Sequence, residues 1–183
     1  MARLPFLAES DLAPQDRELL ARGLNLYRVL AHSPEAARVL RTPAYYVRHD
    51  SPLDPRLREL AILQVGYVTR TAYEYAHHVE LGRTYGVTDD DLRALAAETA
   101  GRPSGLPALE RAVLRAAREL AAAPRLDDAT SAALQTMLPP RHLVDLLLAI
   151  ALYCAVVRIL GALQIELEPG YEAILAEFPL PAD

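Results

Sequence analysis

The longest apolar stretch of the chain, residues 143–165, sets the first limit on the fold. It is interrupted by Asp145, Arg158 and Gln164, so we expect its uninterrupted part to be too short for a bilayer, which needs roughly 20 apolar residues. As a helix, residues 146–157 have no polar face, and such a helix must be enclosed by other protein. The enclosing surface is either the rest of the chain or a second subunit, and the sequence leaves both open.

The rest of the chain also predicts helices. Ala, Leu, Arg and Glu dominate, and alternating β-branched runs bounded by turn pairs are absent. Helix starts are indicated by Ser33-Pro34, by Asp54-Pro55 and by a capping box at Thr88 and Asp91, while Gly86 suits a helix end. The predicted helices span about 14–31, 34–49 with a bend or break near Pro43, 55–70, 71–86, 88–97, 107–123, 127–137, 140–163 and a final turn or two in 169–178.

Length and composition indicate one all-helical domain over residues 1–183. The chain is 52% hydrophobic and 23% charged, which suits a globular protein with a real core. Its net charge of -5, with acids and bases interspersed, disfavours a nucleic-acid partner. A lone cysteine, Cys154, forms neither an intrachain disulfide nor a CxxC pair. The start lacks the apolar core of a signal peptide, so we expect a soluble cytoplasmic protein without a membrane partner.

The segment TAYEYAHHVELG, residues 71–82, places a carboxylate beside two histidines. Thr71, Glu74 and His78 lie at i, i+3 and i+7 and share one helical face. His77 is rotated about 100° from His78, and we expect it at the surface or at an interface. Glu59 lies on the preceding helix; if the chain reverses near residues 69–71 the two helices pack antiparallel, and only the fold decides whether Glu59 reaches His78.

The run RELAILQVGYVTRTAYEYAHHVELGRTYGVTDDDLRAL resembles the core of the carboxymuconolactone decarboxylase and alkylhydroperoxidase D-like superfamily. Redox members of that superfamily carry a glutamate, eleven residues, a CxxC pair, three residues and a histidine. On this chain the glutamate is Glu59, the cysteine positions are Thr71 and Glu74, and the histidine is His78, without a gap. Further resemblance in LNLYRVLAHSPEAARVL and in HLVDLLLAIALYCAVVRILGALQIEL extends it over most of the chain. It implies a helical bundle of the AhpD-like type. Because residues 146–157 lack a polar face, we expect this bundle to form a homo-oligomer, as a dimer, trimer or hexamer.

The departures from the redox pattern bear on activity. The resemblance implies that, in the redox members, two thiols reduce peroxide or a disulfide while the glutamate and histidine relay protons. Thr71 and Glu74 cannot do thiolate chemistry. Cys154 lies in apolar surroundings that would keep it a neutral, inert thiol. The alkylhydroperoxidase alternative, an antioxidant peroxidase, is therefore disfavoured for this chain.

The decarboxylase branch, by the same resemblance, removes a carboxylate from an unsaturated lactone without metal or organic cofactor. Such chemistry needs an acid near neutral pH, the role we expect for His78, with Glu74 and Glu59 in support. The reaction expected is decarboxylation, or related acid–base chemistry, on a small carboxylated cyclic molecule. Residues expected to contact the substrate are Thr71, Tyr67, Tyr73 and Arg58, with Arg56 or Arg70 as other partners for its carboxylate.

Two rival interpretations remain open. Glu74 and His77 match the ExxH motif of di-iron bundles, but those sites need two such motifs and two further glutamates. This chain has one copy, so we expect no metal and no cofactor, unless a site is completed across subunits. The second rival is a non-catalytic small-molecule binding protein that keeps the fold. A closed, ligand-sized cavity beside His78, with the ring held by a carboxylate, would favour an enzyme.

Overall fold

A computed structural model describes residues 1–182, which form nine α-helices and no strand. The helices are α1 (Asn25–Leu30), α2 (Pro34–Tyr45), α3 (Pro55–Val68), α4 (Ala72–Thr84), α5 (Asp89–Thr99), α6 (Ala108–Ala122), α7 (Asp128–Met137), α8 (Pro140–Leu163) and α9 (Glu172–Glu177). Two 3₁₀ turns, Glu9–Asp11 and Pro14–Leu20, precede α1, and a π-helical turn, Tyr46–Asp50, follows α2. The prediction of an all-α fold is confirmed.

Two of the predicted helices differ from the structure. The helix expected over 14–31 is divided, because Gly23 adopts a left-handed φ of 68° between the 3₁₀ turn and α1. In the second helix the chain continues through Pro43 instead of breaking there. The irregularity follows it, where α2 widens into the π-helical turn Tyr46–Asp50.

The predicted helix ends of the central segment are confirmed. The Asp54 side chain accepts a hydrogen bond from the Leu57 backbone N–H at 2.9 Å, which caps α3. Thr88 and Asp91 form the expected capping box at the start of α5. Gly86, with a φ of 89°, follows the end of α4. Short polar signals therefore fix where the helices around the site begin and end.

Helix α3 lies at the centre of the fold, against α4, α6 and α8. Every residue from Leu57 to Tyr67 is buried, as the apolar residues around this helix predicted. The chain reverses after α3, with Arg70 at a φ of 53°, so α3 and α4 run antiparallel. A Cβ atom at Gly66 would lie 3.0 Å from the Tyr75 backbone nitrogen, so glycine is needed for this close approach. The antiparallel pairing brings Glu59 level with the second half of α4.

Helix α8 is enclosed on one side only. Its inner face is buried against α3 and α6, and an outer stripe of apolar residues is exposed: Val144, Leu148, Ala151 and Ala155. By length and composition alone, the whole 24-residue helix is apolar enough to cross a membrane, a test that a buried core helix also passes. The interruptions are accommodated within the fold. Buried Asp145, for example, accepts hydrogen bonds from Tyr46 and Ser51 at 3.0 and 2.8 Å.

Candidate active site

His78 is held between two carboxylates in the buried interior. Its Nδ1 lies 2.6 Å from Glu59 Oε2 on α3, and its Nε2 lies 2.9 Å from Glu74 Oε1, one turn earlier on α4. The Tyr153 ring from α8 meets the imidazole edge-on, with centroids 4.9 Å apart. Because both ring nitrogens face carboxylates, the protonated imidazolium satisfies the arrangement best. The fold therefore brings together the three residues that the sequence placed on α3 and α4.

The second oxygen of Glu59 is bound by Arg58. The Arg58 Nε and Nη2 atoms each donate a hydrogen bond of 3.0 Å to Glu59 Oε1. The guanidinium also lies over the Tyr85 ring, 4.5 Å from its centroid. Glu59 is 0% exposed and Arg58 2% exposed, so each requires the other as a buried counter-charge.

These contacts change the pKa values of the buried groups. Burial alone would raise the pKa of Glu59, but the charges and hydrogen bonds of His78 and Arg58 lower it below its usual value. Burial alone would lower the pKa of His78, yet Glu59 and then Glu74 raise it to about 9. At neutral pH, His78 is therefore an imidazolium and Glu59 a carboxylate.

A cavity of about 730 Å³ opens beside this cluster. Among the residues of its inner wall are Glu74, His78, Tyr153 and Arg48. Further out it is lined by tyrosines and aliphatic side chains, including Tyr27, Tyr73, Tyr171, Leu26, Leu152 and Val156. The lining also includes charged side chains, among them Glu18, Arg22, Arg41 and Glu80. A mixed polar and apolar cavity of this volume suits one small organic molecule.

Several residues expected to bind substrate do not line this cavity. Arg58 is engaged by Glu59, and Thr71 lies at the start of α4 with its hydroxyl 3.0 Å from that of Thr69. Tyr67 packs against Tyr75 in a separate part of the core, because its position on α3 faces away from α8. The other candidate arginines are engaged too: Arg56 by Asp91 and Glu110, and Arg70 by the Ala182 carbonyl.

Tyr73 does line the cavity, but its hydroxyl is occupied. That hydroxyl donates to Glu168 Oε1 at 2.8 Å and accepts from the Leu26 backbone N–H at 3.1 Å. Burial raises the pKa of Tyr73 far above its ordinary value. Tyr73 can therefore form a wall of the cavity, and it has no free proton to offer there.

His77 does not lie on an open surface, because the segment after α8 covers it. Its Nδ1 donates to the Tyr73 carbonyl at 2.7 Å, and its Nε2 lies 3.0 Å from Glu168 Oε2. The ring packs between those of Tyr73 and Tyr171, with centroids 4.4 Å away in each case. Its side chain is 16% exposed and lines the same cavity as His78.

Sequence reasoning did not single out Arg48 or Tyr153 as cavity residues. Arg48 lies on the π-helical turn after α2, whose direction no sequence pattern indicated. The sequence contains one indication that Tyr153 lies near a site: its hydroxyl falls in the otherwise apolar run LLLAIALYCAVV. Buried hydroxyls normally have a polar reason to be there, so this signal could have been used.

Cys154 lies next to Tyr153 in sequence but outside the cavity lining. Its Sγ is 3.8 Å from the Leu120 carbonyl on α6. Burial raises the pKa of this thiol, although Arg158 acts in the opposite direction. Within residues 1–182, no group of three or more His, Cys, Asp or Glu is placed to hold a metal ion.

The fold and site define an AhpD-like helical protein with a Glu–His pair on its central hairpin. A crystal structure of the alkylhydroperoxidase AhpD core, an uncharacterized peroxidase-related protein from Ralstonia eutropha JMP134, is similar over 98% of each chain. The TM-score is 0.79 and the sequence identity is 17%, so the likeness concerns the fold.

A family model matches the central part of the chain. Residues 34–119, from α2 into α6, match the Carboxymuconolactone decarboxylase family. Residues 34–119 therefore carry the sequence pattern of this family, and the chain as a whole has an AhpD-like fold. No curated protein matches the chain. The matched residues include Glu59, Glu74 and His78.

Proposed function

We propose that the protein is a cofactor-independent acid–base enzyme, decarboxylase-like, that acts on a small carboxylated cyclic molecule of the lactone type. The observation that carries this proposal is the buried Glu59–His78–Glu74 cluster at the inner wall of a cavity of about 730 Å³. Burying charged groups costs free energy, and proteins keep such groups where they take part in chemistry or help to specify the fold. The family match supports a part in chemistry.

The proposed reaction uses His78 as a proton donor. The bond between the ring carbon and the carboxylate breaks, CO2 leaves, and the electron pair is delocalised into the conjugated lactone carbonyl. The imidazolium of His78 then gives a proton to the carbon of this dienolate, which is far more basic than imidazole. Because its pKa is raised to about 9, His78 is still protonated when the acid is needed at neutral pH. Glu59 and Glu74 hold the ring in place and stabilise its charged form.

A peroxidase function, which the name of the similar Ralstonia protein suggests, receives less support from the site. The positions equivalent to the redox cysteines are Thr71 and Glu74, and Cys154 does not line the cavity. Peroxide reduction at a thiolate needs an accessible sulfur with a low pKa, whereas the pKa of Cys154 is raised.

The test is a paired assay of wild type, His78→Gln and His142→Gln. Each protein is offered a panel of carboxylated γ-lactones and keto acids, and CO2 release is measured. His142 is on α8 and does not line the cavity, so its variant controls for loss of a histidine. We expect His78→Gln to lower kcat/KM by about 100-fold or more, and His142→Gln to leave it unchanged.

Three outcomes would overturn the proposal. Turnover of a lactone that survives in a folded His78→Gln protein would remove His78 from the mechanism. Hydroperoxide reduction with a dithiol, unchanged in Cys154→Ser, would show that this chain reduces peroxide without its cysteine. If the panel binds but is not turned over by wild type, the protein is better described as a binding protein.

We further propose that the enzyme works in the cytoplasm as a homo-oligomer, with the exposed apolar stripe of α8 at the subunit interface. Val144 and Leu148 are 63% and 38% exposed, and neighbouring Ala151 and Ala155 extend the stripe. Light scattering after size-exclusion chromatography tests this proposal. We expect wild type to have the mass of at least two subunits and Leu148→Glu to dissociate, whereas a monomeric wild type would refute it.

A further inference from the structure

Arg48 is a cation without a partner in the wall of the cavity. Among residues 1–182 its side chain has no hydrogen bond or ion pair, and its Nε is shielded from solvent. The other cavity arginines differ, because Arg41 pairs with Glu18 at 2.6 Å and Arg22 is exposed to water. A guanidinium without a counter-charge in a cavity wall is suited to an anion, which would bind at its Nη atoms because Nε is closed off.

The Tyr153 hydroxyl provides a second free donor in the same cavity. Its side chain is 6% exposed, and the hydroxyl has no hydrogen-bond partner in the described part of the chain. Burial raises the pKa of Tyr153, and the nearby charges of Glu74 and Glu59 add to this, while Arg48 acts in the opposite direction. The phenol is therefore a neutral donor, and Arg48 is near enough to influence it.

The charges around these donors favour an anion. The buried cluster contains two positive groups, Arg58 and His78, and two negative groups, Glu59 and Glu74, so its charges cancel when His78 is protonated. The charge of Arg48 then has no counter-charge at the inner wall. An anionic ligand would supply that counter-charge in a poorly solvated place, where charge-assisted hydrogen bonds are strong.

The backbone that carries Arg48 is fixed from two sides. Buried Asp145 on α8 accepts hydrogen bonds from Tyr46 and Ser51, at either end of the π-helical turn. Arg58 Nη1 donates to the Arg48 carbonyl at 3.4 Å, so the turn is also tied to the His78 cluster. A turn anchored in this way holds its side chain in place before a ligand binds.

From these observations we infer that Arg48 and the Tyr153 hydroxyl form an anion subsite that holds a carboxylate of the substrate beside His78. This inference deepens the proposed function, and it rests on that function in taking the bound molecule to be the substrate. The guanidinium offers the N–H donors of its Nη atoms to the carboxylate, and the phenol donates to one of the carboxylate oxygens. An ion pair stabilises a carboxylate against leaving as CO2, so the group held here anchors the molecule and is not the one lost.

The experiment measures binding, independently of turnover. Calorimetry compares the saturated lactone 5-oxotetrahydrofuran-2-carboxylate with its carboxamide, which has nearly the same shape and no charge. The proteins are wild type, Arg48→Gln, Arg48→Lys, Tyr153→Phe and the matched control Arg22→Gln, each checked for folding by circular dichroism.

We expect wild type to prefer the carboxylate by about tenfold or more, and Arg48→Gln to lose that preference while keeping its affinity for the carboxamide. Arg48→Lys should retain part of the preference, because it keeps the charge but not the planar fork. Tyr153→Phe should weaken carboxylate binding by several-fold, and Arg22→Gln should behave as wild type.

Other results would overturn the subsite. A preference that survives in Arg48→Gln, or that is lost equally in Arg22→Gln, would mean that general cavity charge attracts the anion. Failure of wild type to bind either probe at millimolar concentration would also overturn the subsite, because no anion would then be held in the cavity. If the preference depends on Arg48 but no lactone is turned over, the subsite stands and the proposed reaction fails. If turnover depends on His78 while Arg48→Gln keeps the preference, the reaction stands and the subsite fails.

Discussion

His77 and His78 are adjacent on α4, line the same cavity and each lie about one hydrogen-bond length from a carboxylate, yet the carboxylates are held very differently. Glu59, beside His78, is 0% exposed, lies on the central helix and is bound by Arg58. Glu168, beside His77, is 18% exposed and lies in the irregular segment between α8 and α9. The first carboxylate is fixed by the core, and the second by a connecting segment.

The difference follows from helix geometry, which directs the side chains of neighbouring residues to different parts of the fold. A rotation of about 100° per residue turns His78 towards α3 and α8 and His77 towards the chain after α8. Chemistry that depends on fixed geometry is best placed on packed helices, which favours His78 for proton transfer. Glu168 instead accepts from Tyr73 and from the Asn25 backbone, so it ties the segment after α8 over the cavity.

The largest expected effect is on stability, and it separates the two carboxylates. Glu59→Ala leaves Arg58 and His78 as buried charges without this partner, and we expect a loss of about 3–5 kcal/mol in the free energy of unfolding. Glu168→Ala removes hydrogen bonds from a partly exposed site, and we expect a loss of about 1–2 kcal/mol. Urea unfolding of both variants measures the difference. Equal losses would contradict the distinction between a core-held and a segment-held carboxylate.

The second prediction concerns the alkaline side of the pH range. The folded-state pKa of His78 is raised from 6.5 to about 9, so its stabilising effect is full below pH 6.5 and is lost as the pH rises towards 9. The shift corresponds to a free energy on the order of 3 kcal/mol. We expect the stability difference between wild type and His78→Gln to shrink over this range, measured by urea unfolding at closely spaced pH values. A difference that stays constant would mean that His78 is not an imidazolium in the folded protein.

Much of the fold followed from local signals that act over a few residues. Proline after an N-cap, the box at Thr88 and Asp91, and Gly86 mark helix ends through backbone hydrogen bonds, and the structure has them in place. The division of the predicted helix over 14–31 at Gly23 is also a local effect. A glycine inside a helical pattern, however, does not indicate whether it will adopt a positive φ. The i, i+4 spacing placed Glu74 beside His78 without any tertiary information.

The parts that sequence reasoning could not supply depend on contacts between distant segments. Glu59 reaches His78 because α3 and α4 pack closely at Gly66 and run antiparallel, a matter of packing distance. Tyr153 reaches the cavity, and Glu168 reaches His77, only once α8 has packed on α3. Arg58 was expected to bind substrate because it is an arginine near the site, whereas burial made it the counter-charge of Glu59.

The smallest expected effect lies on the acid side and belongs to the His77 region. Burial alone would raise the pKa of Glu168, but contacts with His77, Asn25 and Tyr73 lower it from 4.5 to about 2. A lowered pKa stabilises the fold above pH 4.5, and this contribution is lost as the pH falls towards 2. We therefore expect the stability difference between wild type and Glu168→Gln, no more than about 2 kcal/mol, to shrink over that range.

Urea unfolding at pH 6 and at several values below 4.5 measures this difference, with Glu35→Gln as a control that removes an exposed carboxylate on α2. A difference that persists unchanged below pH 3 would mean that Glu168 stabilises the fold through shape and not through its charge. The segment after α8 would then be held by the packing of Tyr73, His77 and Tyr171 alone. If the difference disappears as expected, the two adjacent histidines sit in clusters that lose their stabilising effect at opposite ends of the pH range. The His78 cluster would do so at high pH because the pKa of His78 is raised, and the His77 cluster at low pH because the pKa of Glu168 is lowered.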